Sequence, residues 1–572
     1  MKEKEKDEDI LREAKKAFNS LYEANKENHD QFRKNMKFSF NIAEGHWNEE
    51  DLADRDAKGR PHLSAHKLGK FVSQVVNAER GMPNKDQVVP VDDAGDKQIA
   101  RIYNYLINHI EYQSCFDEII TETGELAVGG GFGFWRILTE YTDKGFDQEI
   151  RIKGIPNSLM VYLDPKGRKA FIREGLTEEE FNEKFPDYKN ESSSFEGDED
   201  YELWYEDKKI FIAEYFRKVA VTKTIAEVMT ESGEKAVIEL DDSNKDIEVL
   251  RTREVKSYKV EWYKISGHSI LERGEWPGSE IPIVEVDGHR VQFEGKMYKK
   301  SLTQDANDMN RAYDYWLTSL TEKVALSPKA PFVLTPQMIR GHEKQWDTAN
   351  KDLHPYLLIN SMGQGVPQRA PAPEVGQGEL TMLQICDNNI KDILGMYETS
   401  VGMQSNERSG KAIQARAARS ELGTFHFPDN LRRARLKTKK MLIELIPKIY
   451  DNERVVRVIG RKEPITLNKR VFDNSLKTFK VINDLNVGQY DIRASNPMNP
   501  TIRQMASDGL REAMQYVPTH ADILLPIYLS YTDFPGMEEA VQAIKARTAQ
   551  MQQAKMAADA PLDINSLLGG AQ

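Results

Sequence analysis

Ser301-Leu-Thr-Gln-Asp-Ala306-Asn-Asp-Met309-Asn-Arg-Ala-Tyr313-Asp-Tyr-Trp316-Leu-Thr-Ser-Leu320-Thr-Glu-Lys-Val324-Ala-Leu-Ser327-Pro328 opens the stretch, running on to Lys440, that decides the fold. Leu302, Ala306, Met309, Tyr313, Trp316, Leu320 and Val324 recur at spacings of three and four, which predicts a helix packed along one seam. At 1.5 Å per residue it would span roughly 36 Å. Ser327-Pro328 ends it, because the residue before a proline is pushed out of the α region and the ring removes a donor. A second helix is predicted near Glu379 to Ser400, with Leu383, Cys386, Ile390, Ile393, Leu394 and Tyr397 on one face. Between them lie Pro331, Pro336, Pro355, Pro367, Pro371 and Pro373, with Gly363, Gly365, Gly376 and Gly378, so a small module sits at the far end of a hairpin of long helices. A polar loop from Gly402 to Lys411 and a basic helical run through Lys440 follow.

A chain of 572 residues exceeds one compact core, and a prior of about 150 residues per domain predicts three or four subdomains. Its formal charge of -12 argues against a protein whose main task is gripping phosphates. Cys115 and Cys386 are too few for a disulfide framework or a cysteine metal motif, and both are expected to be small buried residues of helices. The charge run from Met1 to Ile10 lacks the apolar core of a signal peptide, and no apolar stretch reaches the roughly 20 residues that span a bilayer. A soluble intracellular protein without membrane association is expected. Nothing repeats at a fixed period, which argues against a solenoid.

Along the chain, residues 8 to 44 suit a helix, and Ser64 to Gly81 a second one stopped by Gly81-Met-Pro83. Lys85 to Val91 resembles a strand, and Asp96 to about Val128 one long amphipathic helical region. Residues 146 to 285 are mostly strand material, with Lys256 to Lys264 alternating as in a sheet with one wet face. Thr177 and Glu180 have the spacing of a capping box for a short helix. Asp187 to Asp200 is a polar acidic loop. Strand patterning returns at Arg454 to Ile459, Ile465 to Leu467, Thr478 to Asn483 and Tyr490 to Ala494. Met505 to Tyr516 and Met537 to Gln553 are helical, separated by Pro518, Pro526 and Pro535.

Chemical motifs are mostly absent. Gly129-Gly-Gly-Phe-Gly-Phe-Trp-Arg136 follows a helix and precedes a strand, the reverse of a phosphate loop, so it reads as a tight turn between closely passing backbones. His342-Glu343 lacks the second histidine of a zinc helix, and Gly267-His-Ser269 lacks the closing glycine of a nucleophile elbow. Ser409-Gly-Lys-Ala412 puts alanine where a phosphate loop needs a hydroxyl for magnesium. No catalytic residue, metal site or cofactor is assigned. The basic run, Lys411, Arg416, Arg419, Arg432, Arg433, Arg435, Lys437, Lys439 and Lys440, is either a helix face paired with acidic neighbours or a patch beside a nucleic-acid path.

Several pieces, in order, resemble the portal proteins of tailed bacteriophages of the short-tailed podovirus type. They are Gln74 to Arg80, Gly129 to Tyr141, Arg151 to Pro165, Ile281 to Val284, Asp305 to Pro331, Ser409 to Ile413 and Tyr490 to Asp508. The resemblance covers most of the chain and rests on their order rather than on one motif. It implies an α+β subunit of a ring, a dodecamer, at one capsid vertex, through which double-stranded DNA is packaged and ejected. Carried onto this chain, it implies an N-terminal helical segment at 1–47, a wing at 48–299, stem helices at 300–327 and 379–401, and a small α/β clip at 328–378. A tunnel loop at 402–411, a wing return at 412–500 and a helical crown with a C-terminal tail at 501–572 complete it. Some relatives continue into a long C-terminal helical barrel; helical patterning here stops at about Gln553, and a full barrel is not expected.

The implied partners are further copies of the chain, the large terminase, a head-tail adaptor, and capsid and scaffolding proteins. The implied location is the virion, after assembly in the host cytoplasm. Arg408, Lys411 and Arg416 are expected nearest the channel, and Tyr313, Trp316, Leu320, Ile390 and Leu394 in the stem packing. Trp316→Ala is expected to cost a few kcal/mol of subunit or interface stability. The alternatives are a metal-dependent nucleic-acid enzyme and a monomeric adaptor or scaffold.

Overall fold

The computed structural model describes residues 2–80, 86–91, 96–142, 145–188, 203–229, 235–240, 249–326, 331–360, 365–371, 376–396, 423–456, 464–473, 478–486, 488–494, 500–516, 521–532, 544 and 547. The chain is mixed α+β and divides into two compact units.

In the larger unit the N-terminal helix runs over Lys2–Ser39. Ile10, Ala14, Phe18 and Leu21 keep the helical period and are buried in one core with the large sheet. Phe18 meets Tyr162 and Phe171 edge-on at 5.1 and 5.3 Å. That sheet is antiparallel, in the order Ile270–Trp276, Val249–Ile265, Lys209–Met229, Lys169–Thr177, Val161–Leu163, with Tyr205–Glu206 and Lys235–Leu240 also on Lys209–Met229. The expected wet face is not there at its inner end. Tyr263 packs into the core with the N-terminal helix while Val260 packs with Phe32 and Phe134, so both faces are covered. Thr177 and Glu180 form the expected capping box at the start of Glu178–Lys184.

The helix expected from Ser64 begins only at Leu68, since Ser64 to Lys67 are non-helical; Leu68–Arg80 is buried through Leu68, Phe71, Val72, Val75 and Val76. The region from Asp96 to Val128 is two helices, Lys97–Gln113 and Phe116–Gly130, rather than one. Cys115 breaks it with a φ of 50°, a left-handed conformation no helix continues through, and its side chain is exposed rather than buried. Cys386 is buried. Phe132–Tyr141 lies between Ile283–Asp287 and Gln148–Ile155 in a three-stranded sheet. Trp135 at its centre is fully buried, edge-on to Phe116, and donates to Thr438 Oγ1 at 2.8 Å on the helix His426–Ile449.

The glycine cluster is a tight turn from helix to strand. Gly131 has a φ of 123°, and a Cβ on Gly130 would come within 2.3 Å of the Phe32 ring. Gln87–Pro90 pairs with Tyr490–Arg493, and Arg454–Val456 with Ile465–Leu467. The hairpin of His289–Phe293 and Lys296–Lys300 and the strand Lys469–Asp473 were not expected from sequence.

In the smaller unit Pro500–Tyr516 and Ala521–Tyr531 are helices packed on one another. Pro526 lies inside the second rather than separating two helices, its lost donor offset by that packing. Of the helix expected at Met537 to Gln553, only Ile544 and Arg547 are described, both helical.

Candidate functional site

The first long helix forms as a short turn at Gln304–Ala306 followed by Asn307–Leu326. The second is Gln377–Ile393, and it ends earlier than expected. The Leu394 amide reaches the Ile390 carbonyl at 3.1 Å, and Gly395 then turns left-handed with a φ of 66°, the usual glycine stop. Tyr397 to Ser400 lie outside the described residues. The two helices run antiparallel, since Asn389 meets Met309 at one end and Lys323 pairs with Glu379 at the other. Ile390 and Leu394 are buried; Tyr313, Trp316 and Leu320 are half-buried.

What the first helix buries most completely is polar. Asn310, Asp314 and Thr318, each four residues on, are at most 1% exposed. They hold the extended strap from Arg60 to Lys67. Thr318 Oγ1 accepts from the Leu63 amide at 3.0 Å, and Asp314 Oδ1 from the Ala65 amide at 2.7 Å. One turn further, Arg60 grips Glu322 with two guanidinium N–H groups at 2.6 and 3.0 Å, a hydrogen bond that holds the Glu322 carboxyl below its ordinary range. These side chains take the place of a neighbouring strand for the strap's backbone donors.

Inside the ladder sits His46, stacked on Phe38, with Nδ1 2.7 Å from Asp314 Oδ2 and Nε2 2.8 Å from the Phe38 carbonyl. The ring is thus held between the Asp314 carboxylate and a backbone carbonyl, and Asn310 Nδ2 lies 3.3 Å from the same Nδ1. At the strap's end Lys67 pairs with Asp387 on the second helix and lies 3.5 Å over the Tyr313 ring on the first. Burial alone would raise the Asp387 carboxyl; hydrogen bonds from Lys67 and Lys391 outweigh it and hold it low. One residue thereby ties both helices together. Their root is anchored as well, Ser39 Oγ lying 2.6 Å from Thr303 Oγ1 and the Leu302 amide donating to the Val128 carbonyl at 2.9 Å.

At the other end of the pair, Phe332–Val333 pairs with Gln368–Arg369 and closes a small module. Trp346 packs edge-on against Phe332 at 5.2 Å and donates from Nε1 to the Leu358 carbonyl at 2.8 Å.

Arg408, Lys411 and Arg416 lie outside the described residues, as does the whole loop from Gly402 to Lys411. Arg419 lies outside them too; Arg432, Arg433, Arg435, Lys437, Lys439 and Lys440 fall on His426–Ile449 and are largely paired with carboxylates. Arg433 meets Asp429 at 2.7 Å, Arg435 meets Glu79 at 3.4 Å and Lys440 meets Asp491 at 3.3 Å. Lys439 is buried between Glu111 and Asp86; burial pushes its ammonium down and the Glu111 carboxyl up. That segment is a docked helix, not a free cationic face. Sequence reasoning followed the apolar seam and missed the ladder, although Asn310, Asp314 and Thr318 stand at the same helical spacing.

Among the described residues no group of three or more His, Cys, Asp or Glu is arranged to hold a metal, and no helix is long and apolar enough to cross a membrane. A cavity of about 290 Å³ in the larger unit has the paired Arg136 and Glu214 on its wall and Ile155, Ile172 and Ile212 among its apolar lining. A family model described as phage P22-like portal protein matches residues 15–565. The chain therefore belongs to the P22-like portal protein family: it is a subunit of the ring through which a phage genome is packaged and ejected.

Proposed function

We propose that the subunit works in a dodecamer in which Asn307–Leu326 and Gln377–Ile393 are the stem and the module between them is the clip. The clip meets the large terminase during packaging and the head-tail adaptor afterwards. Residues 48–299 and 412–500 form the wing beside capsid and scaffolding proteins, and 501–572 the crown. Assembly takes place in the host cytoplasm. The observation that carries this assignment is the antiparallel helix pair, rooted on the wing and tied by Lys67, with a separately closed module at its tip. The portal family is structural, and the subunit serves as a docking ring for a motor supplied by another protein.

A wall that DNA slides along must not grip phosphates at many points, since each added contact makes the grip tighter and more salt-sensitive. A net charge of -12 fits that demand, and sparse cations near the tunnel loop, Arg408, Lys411 and Arg416, guide the duplex. Reversing all three charges is expected to reduce packaging and DNA retention while rings still assemble. Packaging and retention equal to the unmodified protein would remove these residues from the channel.

A further inference from the structure

The helix pair leaves apolar side chains uncovered on both flanks. On the second helix Leu380, Met382 and Ile385 are 46, 36 and 43% exposed, while Cys386 and Ile390 face the partner helix. At about 100° per residue, Leu380 stands about 100° to one side of that seam, and Met382 and Ile385 about 60° and 120° to the other. Leu380 shares its side with Asp387, where Lys67 brings in the strap. On the first helix Val324, 54% exposed, stands about 20° from Tyr313, the ring that Lys67 covers, and so shares the Lys67 flank. Lys323 pairs with Glu379, so Val324 and Leu380 sit at one level of the hairpin. Met382 and Ile385 lie only about 3 and 8 Å further along the helix.

Two different apolar patches thus stand at nearly the same height on opposite flanks of one helix pair. A patch made for an unrelated protein needs no counterpart on its own chain. A ring needs one, because each head-to-tail contact joins two unlike surfaces, and rotation about an axis along the helices preserves height. We infer that the occupant of each patch is a second copy of this chain: Met382 and Ile385 of one subunit pack on Leu380 and Val324 of the next. This rests on the stem assignment above and adds the surfaces and direction of the contact.

The test uses the full chain with Cys115→Ser to remove the exposed thiol. Two double variants are prepared, Leu380→Cys with Met382→Cys and Val324→Cys with Ile385→Cys, together with the four single variants. Native mass spectrometry first establishes that each forms rings. Mild oxidation of rings is then expected to give a ladder of covalently linked subunits in a double variant, because the two thiols of one chain point apart and can meet only those of neighbours. Single variants should stay unlinked, since each patch faces an unlike one. Intact rings in which neither double variant forms a ladder, or in which single variants link as efficiently, overturn the inference and leave the portal assignment standing. Unmodified protein that forms no rings would instead contradict the stem assignment itself.

Discussion

Under the N-terminal helix, Phe18 meets Tyr162, Phe171 and Trp204 within 5.1 to 5.3 Å, whereas the helix Asn307–Leu326 turns Asn310, Asp314 and Thr318 inward and leaves Val324 to solvent. Apolar packing is strong but has little direction, and it suits a region where a helix and a sheet need a common core. Hydrogen bonds from Asp314 and Thr318 to the Ala65 and Leu63 amides fix the register of a strap that has no sheet to join. The helix pair can then keep apolar side chains outward without rearranging to bury them. Under the N-terminal helix the apolar core holds the fold; along the helix pair the polar ladder holds the strap and apolar side chains stay exposed.

The sharpest way to break this contrast is Asp314→Ala. It strips the buried His46 and Asn310 of a shared hydrogen-bond partner and frees the Ala65 amide, a loss expected at about 3–5 kcal/mol in denaturant unfolding for a buried polar network broken at its centre. Phe18→Ala in the N-terminal helix should cost about as much through a cavity. A loss under about 1 kcal/mol for Asp314→Ala would show that the ladder does not secure the strap.

A pH effect comes next in size. His29 is buried against Phe132; burial first, then the nearby Lys299, pushes its imidazolium down to about 4. A depressed histidine gives stability that is whole above its unfolded value near 6.5 and is lost as pH falls toward 4, up to about 3 kcal/mol. Asp287 works oppositely. Burial, then the charge of Glu285, raises it to about 6, so its contribution is whole below about 4 and is lost as pH rises through 6. The His29 share is therefore read as a difference: wild type minus His29→Phe should fall as pH drops from 7 to 4.5. A difference independent of pH would contradict a buried neutral imidazole. The smallest effect is expected from Thr318→Val, about 1 kcal/mol, for the single bond to the Leu63 amide. A cost matching that of Asp314→Ala would mean that the ladder acts only as a whole.

Much of this was legible in the sequence wherever one local rule decides. The period of Leu68, Phe71, Val72 and Val75, the capping box of Thr177 and Glu180, and the reversed order around Gly129 each produced the element they announce. The helix pair was legible for the same reason. What stayed hidden depends on partners far along the chain. Nothing near Asp314 announces that Ala65 and His46 will meet it, and a seam read from apolar residues passes over a face built from Asn310, Asp314 and Thr318. Pairing of the cations of His426–Ile449 was one of the two readings open, but its partners Glu79, Glu111 and Asp491 lie far along the chain and decide it only in the fold. Cys115 kept its helical pattern on both sides, so only the backbone reveals the break. Gly395 was a visible stop overlooked because apolar spacing continues to Tyr397.

Hydrogen exchange on the unassembled subunit and on the assembled ring tests the contrast between wing and stem most directly. The account predicts that amides of Gln377–Ile393 gain protection on assembly, as neighbours cover Leu380, Met382 and Ile385, while those of Phe132–Tyr141 are already fully protected in the single chain. Equal protection of the stem helix in both states would contradict it, because the exposed apolar flanks would then meet no neighbour.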